Sequence, residues 1–273
     1  MWSLERPATA PRAGILENTP VTLVAALGLG WTVVAGLTAL GWVTRDVLRT
    51  AAITAAHGSL LAIALNWAAA DRGARLGREA VPVTIALLGA GAVAALVDPR
   101  GVVLLLAVPA WLGILVVRGS LTGLGLAPHV TWRPVLAGAA VGALLGAHLL
   151  VSASQTLGYA LREGATAVPL LWAYDLGANV ISAECFFRGA LFNRLQRRWS
   201  FAAATTVATT AALLRYVVDP LLPKQVEVMA GALFYLTVLS AVDCWLLWWS
   251  GSLVPGLAAS WIFFLAYRTL AIG

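Results

Sequence analysis

Charged residues are scarce in this sequence of 273 residues. Asp, Glu, Lys and Arg make up only 11% of it, against about a quarter of a typical soluble domain. Hydrophobic residues make up 60% and occur in blocks of about 20, the length of helix that crosses the hydrocarbon core of a bilayer. The blocks lack the alternating pattern of membrane β-strands. We therefore predict an all-α fold, a polytopic transmembrane helical bundle of about nine spans (eight to nine).

Cysteine is almost absent as well. The two cysteines, Cys185 and Cys244, fall inside predicted spans and form neither a disulfide framework nor a CxxC pair. We interpret both as small apolar filler. The polar first nineteen residues lack the short apolar core and the small-residue cleavage site of a signal peptide, so we expect no cleavage.

The predicted spans follow the apolar blocks. They are residues 20–43, 47–70, 81–97, 101–117, 134–157, 166–192, 200–218, 226–249 and 253–272. The third and fourth are short and are joined by a tight turn at 98–101, a pattern that also fits a hairpin crossing only part of the bilayer. The long loop 118–133 divides the chain into N-terminal membrane helices of unknown role, 1–130, and a second bundle, 131–273.

Arginine and lysine in the short loops predict the orientation. Ten lie on the N-terminal side of a nine-span bundle and six on the other, so we expect a cytoplasmic N-terminus in the plasma (inner) membrane. The ten are Arg6, Arg12, Arg72, Arg75, Arg78, Arg118, Arg133, Arg194, Arg197 and Arg198, and the six are Arg45, Arg49, Arg100, Arg162, Lys224 and Arg268. This bias accounts for the net charge of +6, so the lipid bilayer is an expected partner and nucleic acid is not.

Polar groups inside the spans need a partner or a purpose, because hydrocarbon does not solvate them. The fifth span has two distinct faces, a polar one with His148, Ser152 and Gln155 and a small-residue one with Gly138, Gly142 and Gly146. We interpret the polar face as interhelical hydrogen bonding, with ligand or ion contact as the alternative. The glycines favour close contact with another helix. We interpret His57, which is alone in the second span, as a packing histidine.

The sixth span is the richest in polar residues. At about 100° per residue, Asp175, Asn179 and Ser182 share one face of an α-helix. Glu184 and Arg188 lie on roughly the opposite face and are spaced to form an ion pair within the helix. A helix that is polar on both faces cannot face lipid, so we expect neighbouring helices on at least two sides.

Two later spans carry further charges. Arg215 and Asp219 are spaced i, i+4 near the end of the seventh span, where an interfacial salt bridge or snorkelling is expected. Asp243 in the eighth span has no partner nearby in sequence. We hypothesise that it reaches Arg188 or Arg215.

The segment Ala183-Glu184-Cys185-Phe186-Phe187-Arg188-Gly189 resembles a motif of the CAAX-protease and bacteriocin-processing family of intramembrane endopeptidases. That motif reads Glu-Glu-x-x-x-Arg and is followed here, as in the family, by a basic loop. The family's Phe-x-x-x-His motif falls on 211–215, and its His-x-x-x-Asn motif, after a Gly-Ser-Leu turn, falls on 260–264. The resemblance covers about residues 166–272 and implies a protease-like core there.

Most of the residues that the resemblance would make catalytic are different here. In the family, paired glutamates and two histidines resemble a water-activating site, with or without a metal. Glu184 and Arg188 match the pattern, whereas Ala183 replaces a glutamate, Arg215 and Ser260 replace the histidines, and Phe264 replaces the asparagine. Because an arginine is a poor neighbour for a bound cation, we expect neither a metal nor another cofactor. We hypothesise that Arg215 pairs with Glu184 instead.

Three functions stay open at this point. The first is a non-catalytic relative of the protease: a binding protein, an assembly factor or a complex subunit whose transmembrane helices contact another membrane protein. The second is an active intramembrane endopeptidase with altered residues, in which Glu184 is the base; Ser260 as a nucleophile would need a base that its own helix does not offer. The third is an unrelated transporter with Asp175, Asn179 and His148 along its pathway, although the halves do not repeat.

Overall fold

The computed structural model describes residues 16, 19–72, 77, 79–119, 121–127, 129–156, 158–161, 167–218 and 226–270. Within these ranges the chain is helical and has no strand, as predicted for an all-α bundle. The chain is an integral membrane protein. Several residues that entered the sequence predictions lie outside the described ranges, namely Arg6, Arg12, Arg75, Arg78, Arg162, Asp219, Lys224 and the outer ends of three predicted spans.

The helices agree with the predicted spans to within a few residues. They are α1 (Val21–Leu40), α2 (Arg45–Arg72), α3 (Ala80–Val97), α4 (Ala107–Val117), α5 (Trp132–Thr156), α6 (Ala167–Tyr174), α7 (Val180–Ala183), α8 (Asn193–Gln196), α9 (Phe201–Val218), α10 (Val226–Ser250) and α11 (Val254–Thr269). A 3₁₀-helix at Pro99–Leu106 leads directly into α4. Six segments of the described part are long and apolar enough to cross a membrane: α1, α2, α3, Pro99–Val117, α5 and α10.

The turn between the third and fourth spans is built from local sequence. Asp98 accepts a hydrogen bond from the backbone N–H of Arg100 at 2.8 Å and so caps the 3₁₀-helix, which Pro99 begins. Gly101 lies against the backbone of Ala94, where a side chain would collide. Both segments of this hairpin have the length of a span, so the partial crossing considered from the sequence is not required by their length.

The glycine face of α5 packs against α11 as predicted. A Cβ added at Gly138 or Gly142 would collide with the backbone of Pro255 or Ala259, and one at Gly146 would lie 2.8 Å from Cβ of Ala266. The backbones of the two helices therefore approach closely, as small residues permit in membranes. This contact fixes the position of α11, which carries two residues of the site described below.

The sixth predicted span departs from a regular α-helix. Residues 167–196 form one continuous helix, here called the composite helix, in which α6, α7 and α8 are separated by π-helical turns at Asp175–Asn179 and Glu184–Phe192. The faces predicted from the sequence were those of a regular α-helix, so the π-turns were not predicted. Such turns are frequent at functional sites. As expected for a helix that is polar on both faces, the composite helix lies inside the bundle, in contact with α2, α9, α10 and α11.

One hydrophobic core joins the two parts of the chain on either side of residue 130. It contains Leu61 and Leu65 of α2 together with Phe192 of the composite helix and Leu253 beside α11. Arg194 is 1% exposed and stacks over the ring of Trp67, with 4.4 Å between its guanidinium carbon and the ring centroid. The domain division at 130 stays a prediction, and the two parts share this core.

Two arginines that were counted as loop residues lie inside the bundle. Arg194 belongs to the composite helix, and Arg268 lies in the last turn of α11, where it binds Asp175. Arg194 directly follows the predicted span 166–192, and Arg268 lies near the end of the predicted span 253–272, so both were counted with the adjoining loops. One arginine is lost from each side of the orientation count, so the excess on the N-terminal side is unchanged.

Candidate functional site

A cavity of about 950 Å³ opens between α2, α5, the composite helix, α9, α10 and α11. It reaches one end of the bundle, since its lining includes residues beside the loops at that end: Asp46, Pro99, Tyr159, Ala167, Glu227 and Leu270. Most of the wall is apolar. Polar side chains interrupt it at two levels, and each level contains a cluster of charged residues.

The deeper group, here called the acidic cluster, consists of Glu184, Arg188, Asp243 and Ser260. Ser260 lies between the two carboxyl groups, with its Oγ 3.1 Å from Oε1 of Glu184 and 3.0 Å from Oδ2 of Asp243. Arg188 Nη1 lies 3.5 Å from the same Oε1, which confirms the ion pair predicted within the helix. All four residues are at most 5% exposed.

The hydrogen bonds of Ser260 indicate how many protons the two carboxyl groups of the acidic cluster carry. A serine hydroxyl has one proton to donate, so it satisfies one carboxylate and must accept from the other group. The Ser260 bridge is therefore complete when one of the two carboxyl groups carries a proton. With that proton, the remaining carboxylate and Arg188 balance in charge, which a buried ion pair requires.

The second group, here called the basic cluster, lies nearer the mouth and consists of Asp175, Asn179, Arg215, Arg268 and His57. Arg268 binds Asp175 with two hydrogen bonds, Nε to Oδ2 at 2.6 Å and Nη2 to Oδ1 at 2.9 Å. Asn179 donates from Nδ2 to Oδ1 of Asp175 at 2.9 Å, which turns its own carbonyl towards Arg215. Arg215 Nη1 donates to that carbonyl at 3.0 Å.

His57 completes the basic cluster from the first half of the chain. It is 2% exposed, and its ring nitrogens lie 2.7 Å from Ser182 Oγ and 2.8 Å from Tyr174 OH. Its Nδ1 also lies 3.5 Å from Nη2 of Arg215. The sequence interpretation of a satisfied histidine is correct, but the contact with Arg215 was missed because nothing in α2 itself indicates that it borders the site.

The hypothesis that Arg215 pairs with Glu184 is wrong. Arg215 hydrogen-bonds to Asn179 and approaches His57, while Glu184 binds Arg188 and Ser260. Asp243 lies close enough to Arg188, one of the two partners considered for it, for their charges to attract each other. Its contact with Ser260, seventeen positions later, was not considered because the spacing gives no sign of it.

The other predicted site residues have separate positions. Ala183 and Phe264 line the cavity at the positions where the family has a glutamate and an asparagine. His148 lies outside both clusters and hydrogen-bonds to the hydroxyl of Tyr235 on α10 at 2.6 Å, an interhelical contact of the kind predicted for its face.

The donor atoms of the acidic cluster do not suit a divalent metal ion. Zinc in proteins takes three or four His, Cys or carboxylate ligands, whereas this cluster offers two carboxyl groups with a guanidinium beside them. Across the described part of the chain, no group of three or more His, Cys, Asp or Glu residues is arranged to hold a metal.

Comparison with known proteins agrees with the resemblance seen in the sequence. Residues 165–265 match the family model described as type II CAAX prenyl endopeptidase Rce1-like. The match includes the whole composite helix and the parts of α9, α10 and α11 that carry both clusters, except Arg268 and His57. No curated protein and no solved structure matches the chain. Residues 165–265 are thus similar to this type of intramembrane endopeptidase.

Proposed function

We propose that this protein is a non-catalytic membrane binding protein that uses the scaffold of an intramembrane endopeptidase to hold an apolar ligand. The observation that carries the proposal is the set of contacts that Glu184 makes within the acidic cluster. Glu184, the retained family glutamate, is bound to Arg188 and to Ser260, and Ser260 also binds Asp243. These contacts engage Glu184 within the protein, where a peptidase would need it to activate water.

The replaced positions support the same proposal. Ser260 stands where the family has a histidine, and a hydroxyl does not take up a proton at neutral pH as an imidazole does. Arg215 stands at the other histidine position and stays protonated, so it cannot act as a base. Ala183 and Phe264 bring no donor or acceptor to the wall of the cavity.

The proposal includes a partner among membrane proteins, as an assembly factor or complex subunit would have. Supporting it, α1 has no buried residue and exposes Val24, Leu29 and Val33 along its length. In the proposed topology the protein lies in the plasma (inner) membrane, with its N-terminus in the cytoplasm. The mouth of the cavity then faces the opposite side, because it lies at the end away from the N-terminus.

A direct test is a cleavage assay with the purified full chain in lipid nanodiscs. Farnesylated peptides with a CAAX end and unmodified transmembrane peptides are incubated with the protein, and products are identified by mass spectrometry. The expected result is no cleavage above that of the Glu184→Gln variant. Cleavage by the wild type that Glu184→Gln abolishes would overturn the non-catalytic function.

A second candidate function is favoured by one observation. Oε2 of Glu184 and Oδ1 of Asp243 are buried and have no hydrogen-bond partner. Two carboxyl groups that share one proton are a known means of activating water, one acting as base and the other as acid. For such a hydrolase, Glu184→Gln and Asp243→Asn would each abolish cleavage in the assay above, whereas Arg215→Gln would leave turnover at saturating substrate intact.

A further inference from the structure

Arg215 has an unusual environment for a charged residue inside a membrane bundle. Its hydrogen-bonding neighbours are neutral, the carbonyl of Asn179 at 3.0 Å and the imidazole of His57 at 3.5 Å. Among the residues that the structure describes, no carboxylate forms an ion pair with it, whereas Arg188 and Arg268 each have one. Arg215 also lines the cavity.

The neighbours of Arg215 hold its guanidinium in place. The amide of Asn179 is oriented by Asp175, which itself is bound by Arg268, so the carbonyl that receives Arg215 is fixed. His57 is fixed by Ser182 and Tyr174. A guanidinium has five N–H groups, and these two contacts account for at most two of them. Among the described residues no further side chain accepts from Arg215, so its other N–H groups can bind a ligand in the cavity.

We propose that the basic cluster binds the anionic head group, a carboxylate or a phosphate, of an amphiphile whose hydrocarbon chain lies in the cavity. This inference rests on the proposed binding function and specifies its ligand. A guanidinium stays charged at any physiological pH and matches the paired oxygens of these anions. In apolar surroundings its charge needs a counter-charge, which the described protein residues do not supply at Arg215.

The rest of the cavity suits the other end of such a molecule. Its wall includes aliphatic and aromatic side chains from four helices, among them Leu149, Leu170, Leu236 and Phe263. Its volume of about 950 Å³ is at the upper end of the range for small-molecule sites. An inorganic anion would leave most of that apolar space unfilled.

Two acidic residues also border the cavity and bear on the proposal. Asp46 and Glu227 begin α2 and α10 at the mouth, and both are exposed to solvent. Neither forms an ion pair with Arg215 or Arg268. Their charges are screened by water and salt, whereas Arg215 is half-buried.

The experiment measures binding of radiolabelled probes to the full chain in phosphatidylcholine nanodiscs, with empty nanodiscs subtracted. The anionic probes are oleate and farnesyl diphosphate, and their neutral counterparts are oleyl alcohol and farnesol. We expect each anionic probe to bind about tenfold or more tightly than its counterpart, as one charge-assisted contact provides. Equal affinity within a pair would overturn the proposal, and this comparison requires no variant.

Variants locate the head group. Arg215→Gln is expected to weaken binding of the anionic probes about tenfold and to leave the alcohols unchanged, and Arg215→Lys to fall between. Arg133→Gln, which removes an exposed arginine at the other end of the bundle, is the matched control and should bind as the wild type does. Unchanged binding of anionic probes to Arg215→Gln would overturn the assignment.

Further measurements distinguish an amphiphile from a free phosphate or a bilayer lipid as the ligand, and distinguish failure of this inference from failure of the proposed function. Inorganic pyrophosphate should compete poorly with farnesyl diphosphate. If it displaces the labelled probe as well as unlabelled farnesyl diphosphate does, the site binds a free phosphate and the proposal of an amphiphilic ligand is overturned. Phosphatidylglycerol nanodiscs in place of phosphatidylcholine test whether a bilayer lipid takes the site and displaces oleate. Glu184-dependent peptide cleavage would overturn the non-catalytic function alone, whereas loss of the anion preference without cleavage would overturn this inference alone.

Discussion

The acidic and basic clusters share one feature and differ in the sign of an additional charge. Each has an arginine paired with a carboxylate: Arg188 with Glu184 at 3.5 Å, and Arg268 with Asp175 through contacts of 2.6 and 2.9 Å. Each also contains a further acidic or basic side chain that hydrogen-bonds to a neutral side chain. In the acidic cluster it is Asp243, and in the basic cluster it is Arg215.

The two extra groups differ in whether they can lose their charge. A carboxyl group can take up a proton, and Ser260 can then donate to one acid and accept from the other. A guanidinium cannot lose its proton under the same conditions, so Arg215 keeps its charge. The charges of the acidic cluster can thus balance within it, whereas no carboxylate among the described residues forms an ion pair with Arg215.

The largest expected effect comes from breaking the pair in the acidic cluster. Arg188→Met leaves Glu184 and Asp243 buried without a cation, and the free energy of unfolding should fall by about 3–5 kcal/mol. Heating with a thiol-reactive dye measures unfolding, because Cys185 and Cys244 are free thiols that are buried in the folded protein. The dye can react with them once the protein unfolds. Adding Glu184→Gln to Arg188→Met should recover much of the loss. A melting temperature equal to that of the wild type would contradict the prediction.

A second substitution should damage both clusters together. Gly142→Leu forces α5 away from the backbone of α11 at Ala259, and α11 carries Ser260 and Arg268. We expect a loss of about 1–3 kcal/mol in the free energy of unfolding, together with weaker binding of oleate. Gly113→Leu is the control, since no atom lies within 4 Å of a Cβ added there. Equal melting temperatures for the two variants would show that the close contact is unimportant.

A smaller effect tests the proton accounting. Ser260→Ala removes the hydroxyl between the two carboxyl groups and should lower the free energy of unfolding by about 1–3 kcal/mol. Asp243→Asn should be milder, because an amide can donate where a protonated acid did. The same dye measurement compares them, with Ser154→Ala on the exposed side of α5 as the control. The reverse order of the two variants would show that Asp243 must stay ionised.

The smallest effect is expected in the basic cluster of the ligand-free protein. Arg215→Gln removes a charge that has no acidic partner among the described residues, so the free energy of unfolding should change by less than about 1 kcal/mol. Oleate should raise the melting temperature of the wild type and not that of the variant. A destabilisation as large as that of Arg188→Met would mean that Arg215 is structural and has no need of a ligand.

The sequence predicts the helices better than it predicts the clusters. Apolar blocks and turns such as 98–101 determine the spans locally, so their ends agree to within a few residues. The Glu184–Arg188 pair was also predictable, because both residues lie on one helix. Contacts between helices were not: His57 reaches Arg215 across 158 positions, and the two π-turns change the faces expected for an α-helix.

The composite helix and α11 each carry residues of both clusters, so the distance between the clusters is fixed by these helices. Along α11, Ser260 and Arg268 are eight positions apart, which corresponds to about 12 Å at the rise of an α-helix. A head group held at the basic cluster would start its chain one such interval from Ser260. A chain shorter than the interval would end among apolar side chains, and a longer one would have to pass Glu184 and Arg188. Chain length would then be selected by a fixed distance within the protein.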